Sequence, residues 1–318
     1  MPGFDLKPSA VLDVQHFSSF EEFRPTNVIG VARSVPLDCR AFSASRATLA
    51  LPEALVVLQQ SFARHYEADL WADGCGIAVP MSDEYDLLAN GRVVDSTTVT
   101  LLRGHNPARV FEARPNTYAM LRLHSAMQTR GWADFEEGYE FFKISPQLIQ
   151  RLRFVLSNIA RSASVCTDPI EFTNSARAMQ EVLYEALDAV LVRDAAIRAR
   201  PRSFDHHRRI VARLEDFVRE NPTTALCNED LAQHLATSVR TLQTAMQAVH
   251  GMKLHQYLRL KRLWLVRRQL TKALPGVSVK VAARSHGFWH MGEFSRSYKA
   301  AFAETPSETL VRARGCRA

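Results

Sequence analysis

The chain has few cysteines, and none is arranged to do chemistry. Cys39, Cys75, Cys166, Cys227 and Cys316 are five in 318 residues, odd in number and without a C-x-x-C pair. That pattern excludes a disulfide scaffold and suits a reduced, cytosolic compartment. Glycine and proline, at 13 and 14, are too sparse for a collagen-like or low-complexity chain. No apolar run reaches the length of a transmembrane helix, so none is expected. Residues Met1–Ala10 hold no basic stretch followed by an apolar core, so no secretory signal is expected either. Gly-rich phosphate loops, Gly-x-Ser-x-Gly elbows and His-Glu-x-x-His helices are all missing. His16, His65, His105 and His124 form no His-x-His pair followed by a carboxylate, so no metal site and no catalytic residue is expected. Trp71, Phe42, Tyr85 and Trp132 could line a pocket, but scattered aromatics read as core.

What is abundant is positive charge in one place. Residues 1–204 hold 21 Lys/Arg against 24 Asp/Glu, a net of −3, whereas residues 205–318 hold 19 against 9, a net of +10. The whole excess of a chain with net charge +7 therefore lies in its last third. A polyanion-binding module needs this distribution.

The organisation along the chain has three parts. Residues 1–145 read as strand-rich: Val93–Leu102 and Tyr118–Leu123 are apolar and β-branched, with turns at Asn90-Gly91, 104–107 and 114–116. One helix is predicted near Pro52–Arg64, with proline in its first turn. Residues 146–204 turn helical, with Leu148, Leu152, Val155 and Ile159, then Ala178, Val182, Ala186 and Val190, at helical spacing. The basic segment 198–205, interrupted by Pro201, is predicted to link this part to residues 205–318.

The last part contains an internal repeat. A helix over His206–Glu220 precedes a short helix holding Leu231, Ala232 and Leu235. After a turn at Ala236-Thr237, Ser238 caps a second helix with Leu242, Met246 and Val249 inward. Two short helices across a tight turn form a helix-turn-helix. Ala232, Ala236, Leu242, Met246 and Gly251 recur as Ala283, Gly287, Phe294, Tyr298 and Ala303, with one added residue in the turn. A basic helix over Leu254–Ala273 would hold the two units apart. The fold class is thus α+β and multidomain: a β-rich N-terminal domain with a helical segment, then an all-α double helix-turn-helix domain.

In such a unit the second helix enters the major groove. The face opposite Leu242 and Met246 carries Arg240, Gln243, Thr244 and Gln247; the face opposite Phe294 and Tyr298 carries Met291, Ser295, Arg296 and Lys299. Arginine pairs with guanine and glutamine with adenine, so Arg240, Gln243, Thr244, Met291, Ser295 and Arg296 are the expected base contacts. Ser238, Gln247, Arg262, Arg267 and Lys299 are the expected contacts to the DNA backbone.

These residues resemble the DNA-binding region of the AraC/XylS family of bacterial transcription regulators. The resemblance covers about residues 205–312 and is most specific over Ala283–Ser307, with its Gly287-Phe288 pair, Phe294-Ser295-Arg296, Tyr298-Lys299 and late Pro306-Ser307. Ala236 and Ala303 stand where glycine is usual, Met246 where phenylalanine is, and Val266 where alanine is. The family implies a cupin-like N-terminal domain that binds a small effector, helices that can form a homodimer, promoter DNA and RNA polymerase as partners, and no membrane. Gly287–Phe294 and Val266–Leu270 are most similar to the ethanolamine-utilisation type, whose effectors are ethanolamine and adenosylcobalamin; residues 1–204 share little with it. No other cofactor is implied. The expected function is a cytoplasmic, sequence-specific, effector-responsive activator. Two alternatives stay open on the sequence: a DNA-modifying enzyme using Cys39 beside Arg40, and an architectural protein without sequence preference.

Overall fold

The computed structural model of the protein describes residues 5–20, 22–23, 31–37, 42–69, 75–103, 108–123, 130, 132, 138–191, 202–221, 228–250, 252–302 and 304–315. Trp71, His105, His124, Cys39, Cys227, Cys316, Gly251 and Ala303 lie outside the described residues. Two compact units result, one built mainly from residues 1–199 and the other mainly from 200–318.

The first unit opens with strands β1 (Leu12–Phe17), β2 (Val31–Pro36), β3 (Ala44–Leu51), β4 (Ala54–Gln60), β5 (Arg64–Asp69) and β6 (Cys75–Pro80). It continues with β7 (Asp86–Ala89), β8 (Arg92–Asp95), β9 (Thr98–Arg103), β10 (Ala108–Glu112), β11 (Thr117–Leu123) and β12 (Gly138–Lys143). A seven-stranded antiparallel sheet runs in the order β1-β3-β4-β11-β6-β9-β12, and a five-stranded sheet in the order β2-β5-β10-β7-β8. Alternation along each strand sorts side chains to two faces of the larger sheet. Val56, Leu58, Ile77, Val79, Leu101, Ala119 and Leu121 pack with helices α1 (Pro146–Ser164) and α2 (Pro169–Leu191). The other face, with Val57, Leu102, Tyr118 and Met120, packs against Tyr66, Leu87 and Val110 of the smaller sheet. This double-sheet architecture fits the strand-rich reading of the sequence and the cupin-like domain that the family resemblance implies.

Local chemistry explains most boundaries. Asn90 (φ 47°) and Gly91 (φ 75°) make the two-residue turn between β7 and β8, with the positive φ values a type I′ hairpin requires. Ser145 caps α1, its Oγ accepting from the Leu148 N–H, and Pro146 fills the first helical position. The helix predicted near 52–64 is not formed. Pro52-Glu53 is instead a hairpin turn, and the Leu55-Val56-Val57-Leu58 run pairs along its length with β3 and β11. A short apolar run with adjacent valines fits a strand paired on both sides, and Gln180 of α2 accepts the Glu53 N–H at 2.7 Å, fixing the turn. His16 on β1 and His65 on β5 lie in different sheets, so the register does not bring them together. Phe42, Tyr85 and Trp132 also separate: the first joins Phe20, Phe23 and Phe62, the second packs on Tyr118, and the third on Tyr184.

The second unit is helical: α3 (Arg202–Glu220), α4 (Asn228–His234), α5 (Val239–His250), α6 (Leu254–Lys272), α7 (Val279–Ser285), α8 (Met291–Phe302) and α9 (Pro306–Gly315). Helix α3 starts at Arg202, so the last four residues of the predicted linker are its first turn rather than connector.

Candidate nucleic-acid interface

The helices of the two repeats match in length. Helices α4 and α7 each span 7 residues, and α5 and α8 each span 12. Both short helices end the same way. The Thr237 N–H donates to the Ala232 carbonyl at 2.9 Å and the Ala236 N–H to Gln233 at 3.0 Å; the Phe288 N–H donates to Ala283 at 3.0 Å and the Gly287 N–H to Arg284 at 3.1 Å. This is the Schellman arrangement, which places its C′ residue in the left-handed region. Ala236 has φ 49° and Gly287 has φ 79°, so alanine stands in the first copy where the second has glycine. Ala236→Gly is therefore expected to stabilise the protein by about 1 kcal/mol and Gly287→Ala to destabilise it similarly, with opposite shifts in thermal midpoint. A Cβ at Gly287 would meet only Arg262 Nη1 at 3.9 Å, an ordinary contact, so the effect of that variant is conformational.

Each long helix buries one stripe and exposes another. Leu242, Ala245, Met246 and Val249 of α5 are buried, as are Phe294, Tyr298, Ala301 and Phe302 of α8. Opposite them Arg240, Gln243, Thr244 and Gln247 are exposed on α5, and Arg296 and Lys299 on α8. Ser238 is exposed and caps α5, accepting from the Thr241 N–H at 3.0 Å. Ser295 is half-buried. Met291 is also half-buried and packs against the core of the second repeat, which leaves only part of it to meet a base.

Helix α6 connects the repeats, and at 19 residues it is about 28 Å long. Its Leu254, Tyr257 and Leu258 are buried at one end; its Leu263, Val266 and Leu270 pack with Ala282, Ala283, Phe294, Tyr298 and Leu310 at the other. Polar groups bind it at both ends, buried at the first and half-buried at the second. Glu215 of α3 accepts from the Tyr257 hydroxyl at 2.9 Å and lies 2.8 Å from His250 Nε2 of α5. At the far end Ser285 and His286 meet Gln269; between the ends the exposed Arg259 pairs with Glu293 at 2.9 Å and also donates to Ser297. Burial, and then Arg268, pushes the His286 imidazole below its ordinary value. Burial likewise lowers the pKa of the half-buried Arg262, whose guanidinium lies beside the turn at Gly287.

Arg267 departs from the sequence expectation. It is 5% exposed, pairs with Glu304 at 3.0 Å and lies 4.7 Å from the centroid of the Phe302 ring. A side chain enclosed in this way cannot reach a phosphate, so Arg267 is a structural cation of the second repeat. Helical spacing placed it on the basic face; only the folding of the end of α8 and Glu304 against α6 enclosed it. Two residues outside the expected contacts also stand out: Trp289, an indole 66% exposed one residue before the cap of α8, and the buried Glu215. Glu215 directly follows Leu214 and lies four residues after Val211, and a carboxylate inside an apolar stripe signals a buried partner.

Residues 231–312 match a family profile described as a helix-turn-helix domain. XylDLEGF operon transcriptional activator 3 of Pseudomonas putida is 30% identical over 149 residues, 46% of this chain and 45% of that protein. XylDLEGF operon transcriptional activator 2 of the same organism is 32% identical over 99 residues, 31% of this chain and 63% of that protein. Through this domain the chain is similar to these transcriptional activators. It spans less than two thirds of either relative. A probable AraC family transcriptional regulator from Rhodopseudomonas palustris CGA009 is 30% identical over 33% of this chain and 97% of that one, with a TM-score of 0.32. These relatives give no support to the ethanolamine-utilisation subclass. No helix among the described residues is long and apolar enough to cross a membrane.

Proposed function

We propose that the protein is a sequence-specific, effector-responsive transcription regulator whose two helix-turn-helix units read successive major-groove segments of promoter DNA. The observation that carries this reading is the duplicated 7-and-12-residue helix pair, closed by one turn motif and held by a single connecting helix. Major-groove segments on one face of B-DNA recur every 34–36 Å or so, and α6 is the helix that spaces the two units. Arg240, Gln243, Thr244, Ser295 and Arg296, with the exposed part of Met291, are assigned to bases. Ser238, Gln247, Arg262 and Lys299 are assigned to the DNA backbone. The β-rich residues 1–145 take the effector, residues 146–204 carry the contact of a homodimer, and residues 205–318 bind DNA. Exposed Phe154, Ile170 and Val182 on α1 and α2 support the dimer assignment. RNA polymerase is the partner an activator requires, and the cytoplasm is the compartment in which all these partners meet.

No chemistry is involved. An effector that binds one conformation of the protein more tightly shifts the population toward it and changes what the DNA-binding unit can reach. The test is titration of the full-length protein against labelled duplexes from upstream of its own gene, with random duplex as competitor, at several salt concentrations. Discrimination of about 10³-fold or more with a steep salt slope is expected. Equal affinity for all sequences would leave only a non-specific DNA binder. On the preferred site, Arg240→Ala or Arg296→Ala is expected to cost about 1–3 kcal/mol, with little change on random DNA. An unchanged preference would remove that arginine from the base contacts.

A further inference from the structure

The two units do not offer the groove the same chemistry. On α5 every exposed position of the groove-facing stripe is polar: Arg240, Gln243, Thr244 and Gln247. On α8 the position matching Arg240 is Gly292, the position matching Gln243 is the half-buried Ser295, and Trp289 precedes the helix with 66% of its surface exposed. Tryptophan is among the most buried residues on average, so an indole left this open marks a contact surface. Nothing in the fold asks for the glycine. Gly292 is not in the left-handed region, and a Cβ built there would meet nothing within 4 Å, in contrast to Gly287 with its φ of 79°. Gly292, in the first turn of α8, leaves this part of the helix without a side chain, which lets something outside the chain approach the backbone closely. The neighbouring Glu293 is drawn away by Arg259 at 2.9 Å.

We infer that the second unit recognises thymine methyl groups through the indole of Trp289, with Gly292 clearing the space for the duplex to come close. The C5 methyl of thymine is the one apolar mark in the major-groove pattern, so an apolar reader can recognise only that base. Arg296 supplies the long hydrogen-bonding side chain of this unit, and Lys299 reaches phosphate. The first unit, by contrast, reads donor and acceptor edges. This assignment rests on the reading of α5 and α8 as groove-entering helices.

The test uses the full-length protein and the duplex it selects from a random-sequence pool. Each thymine of that duplex is replaced in turn by deoxyuridine, which lacks only the methyl. At one or two clustered positions the replacement is expected to weaken binding about fourfold, the effect of one buried methyl group. With Trp289→Ala, affinity for the thymine duplex falls and the difference between thymine and uracil at those positions disappears. Gly292→Ala is expected to weaken binding at least tenfold while its thermal midpoint does not fall, which separates a steric effect on DNA from a folding defect. Uracil tolerated everywhere, or full thymine preference retained by Trp289→Ala, would overturn the inference and leave the specific-binding reading standing. Failure to select any duplex would instead sink that reading, and this assignment with it.

Discussion

Glu112→Ala is expected to destabilise the β-rich unit by about 3–5 kcal/mol. Glu112 and Arg64 are 1% and 2% exposed between the two sheets. Glu112 Oε1 accepts from Arg64 Nε at 3.1 Å and from Nη2 at 2.9 Å, and its Oε2 accepts from Ser61. The same Nη2 donates to the Tyr118 hydroxyl at 2.9 Å, and the guanidinium lies 4.6 Å from the Tyr66 ring centroid and 5.1 Å from that of Phe62. Removing the carboxylate strands a positive charge that burial already penalises and that Glu112 compensates. Because the cost is that of the abandoned partner, a double variant with methionine at both positions is expected to recover most of it. Urea denaturation followed by circular dichroism checks both. A loss below about 1 kcal/mol for Glu112→Ala would show that water or the tyrosines compensate Arg64 unaided.

Arg267→Ala is expected to be the most damaging substitution among the basic residues of the DNA-binding unit, at about 3 kcal/mol. Its partner Glu304 also meets Arg312 at 2.9 Å and accepts from the Thr309 hydroxyl at 2.8 Å, and Thr309 pairs in turn with the Tyr298 hydroxyl at 2.9 Å. Loss of Arg267 therefore loosens α6, α8 and α9 together and leaves a gap beside Trp264 and Phe302. The expected signature is a lowered thermal midpoint, with DNA affinity below that midpoint almost unchanged. A phosphate ligand would give the reverse: an unchanged midpoint and a salt slope reduced by about one. Measuring both on one preparation decides between them.

Several elements were legible in the residues because their signals are local. Pro146 starts a helix, Asn90-Gly91 turns a hairpin, and Ser238 caps α5 whatever surrounds them. The duplication was legible too, because a helix-turn-helix repeats its buried positions at fixed spacing, and the extra turn residue in the second copy is where the sequence placed it. The exposed faces of α5 and α8 followed from the same periodicity, which is why Arg240, Gln243, Thr244, Gln247, Arg296 and Lys299 are at the surface.

What failed was whatever depended on residues distant in the chain. The run 54–60 carries no periodicity that separates a buried strand from a helix; pairing with β3 on one side and β11 on the other decides it. Arg267 and Arg268 are neighbours in one basic run, and nothing local says which is enclosed. Phe302 of α8 and Glu304 just after it, some forty residues later, enclose the first and leave the second exposed. Glu112 finds Arg64 only because β5 and β10 pair with Glu112 opposite Arg64. The sequence by itself determined the helix caps, the turns, the repeat and the polar faces, since each depends on a few adjacent residues. The tertiary structure alone decided which charges are buried and which face solvent, because burial is a property of what the rest of the chain lays over a residue.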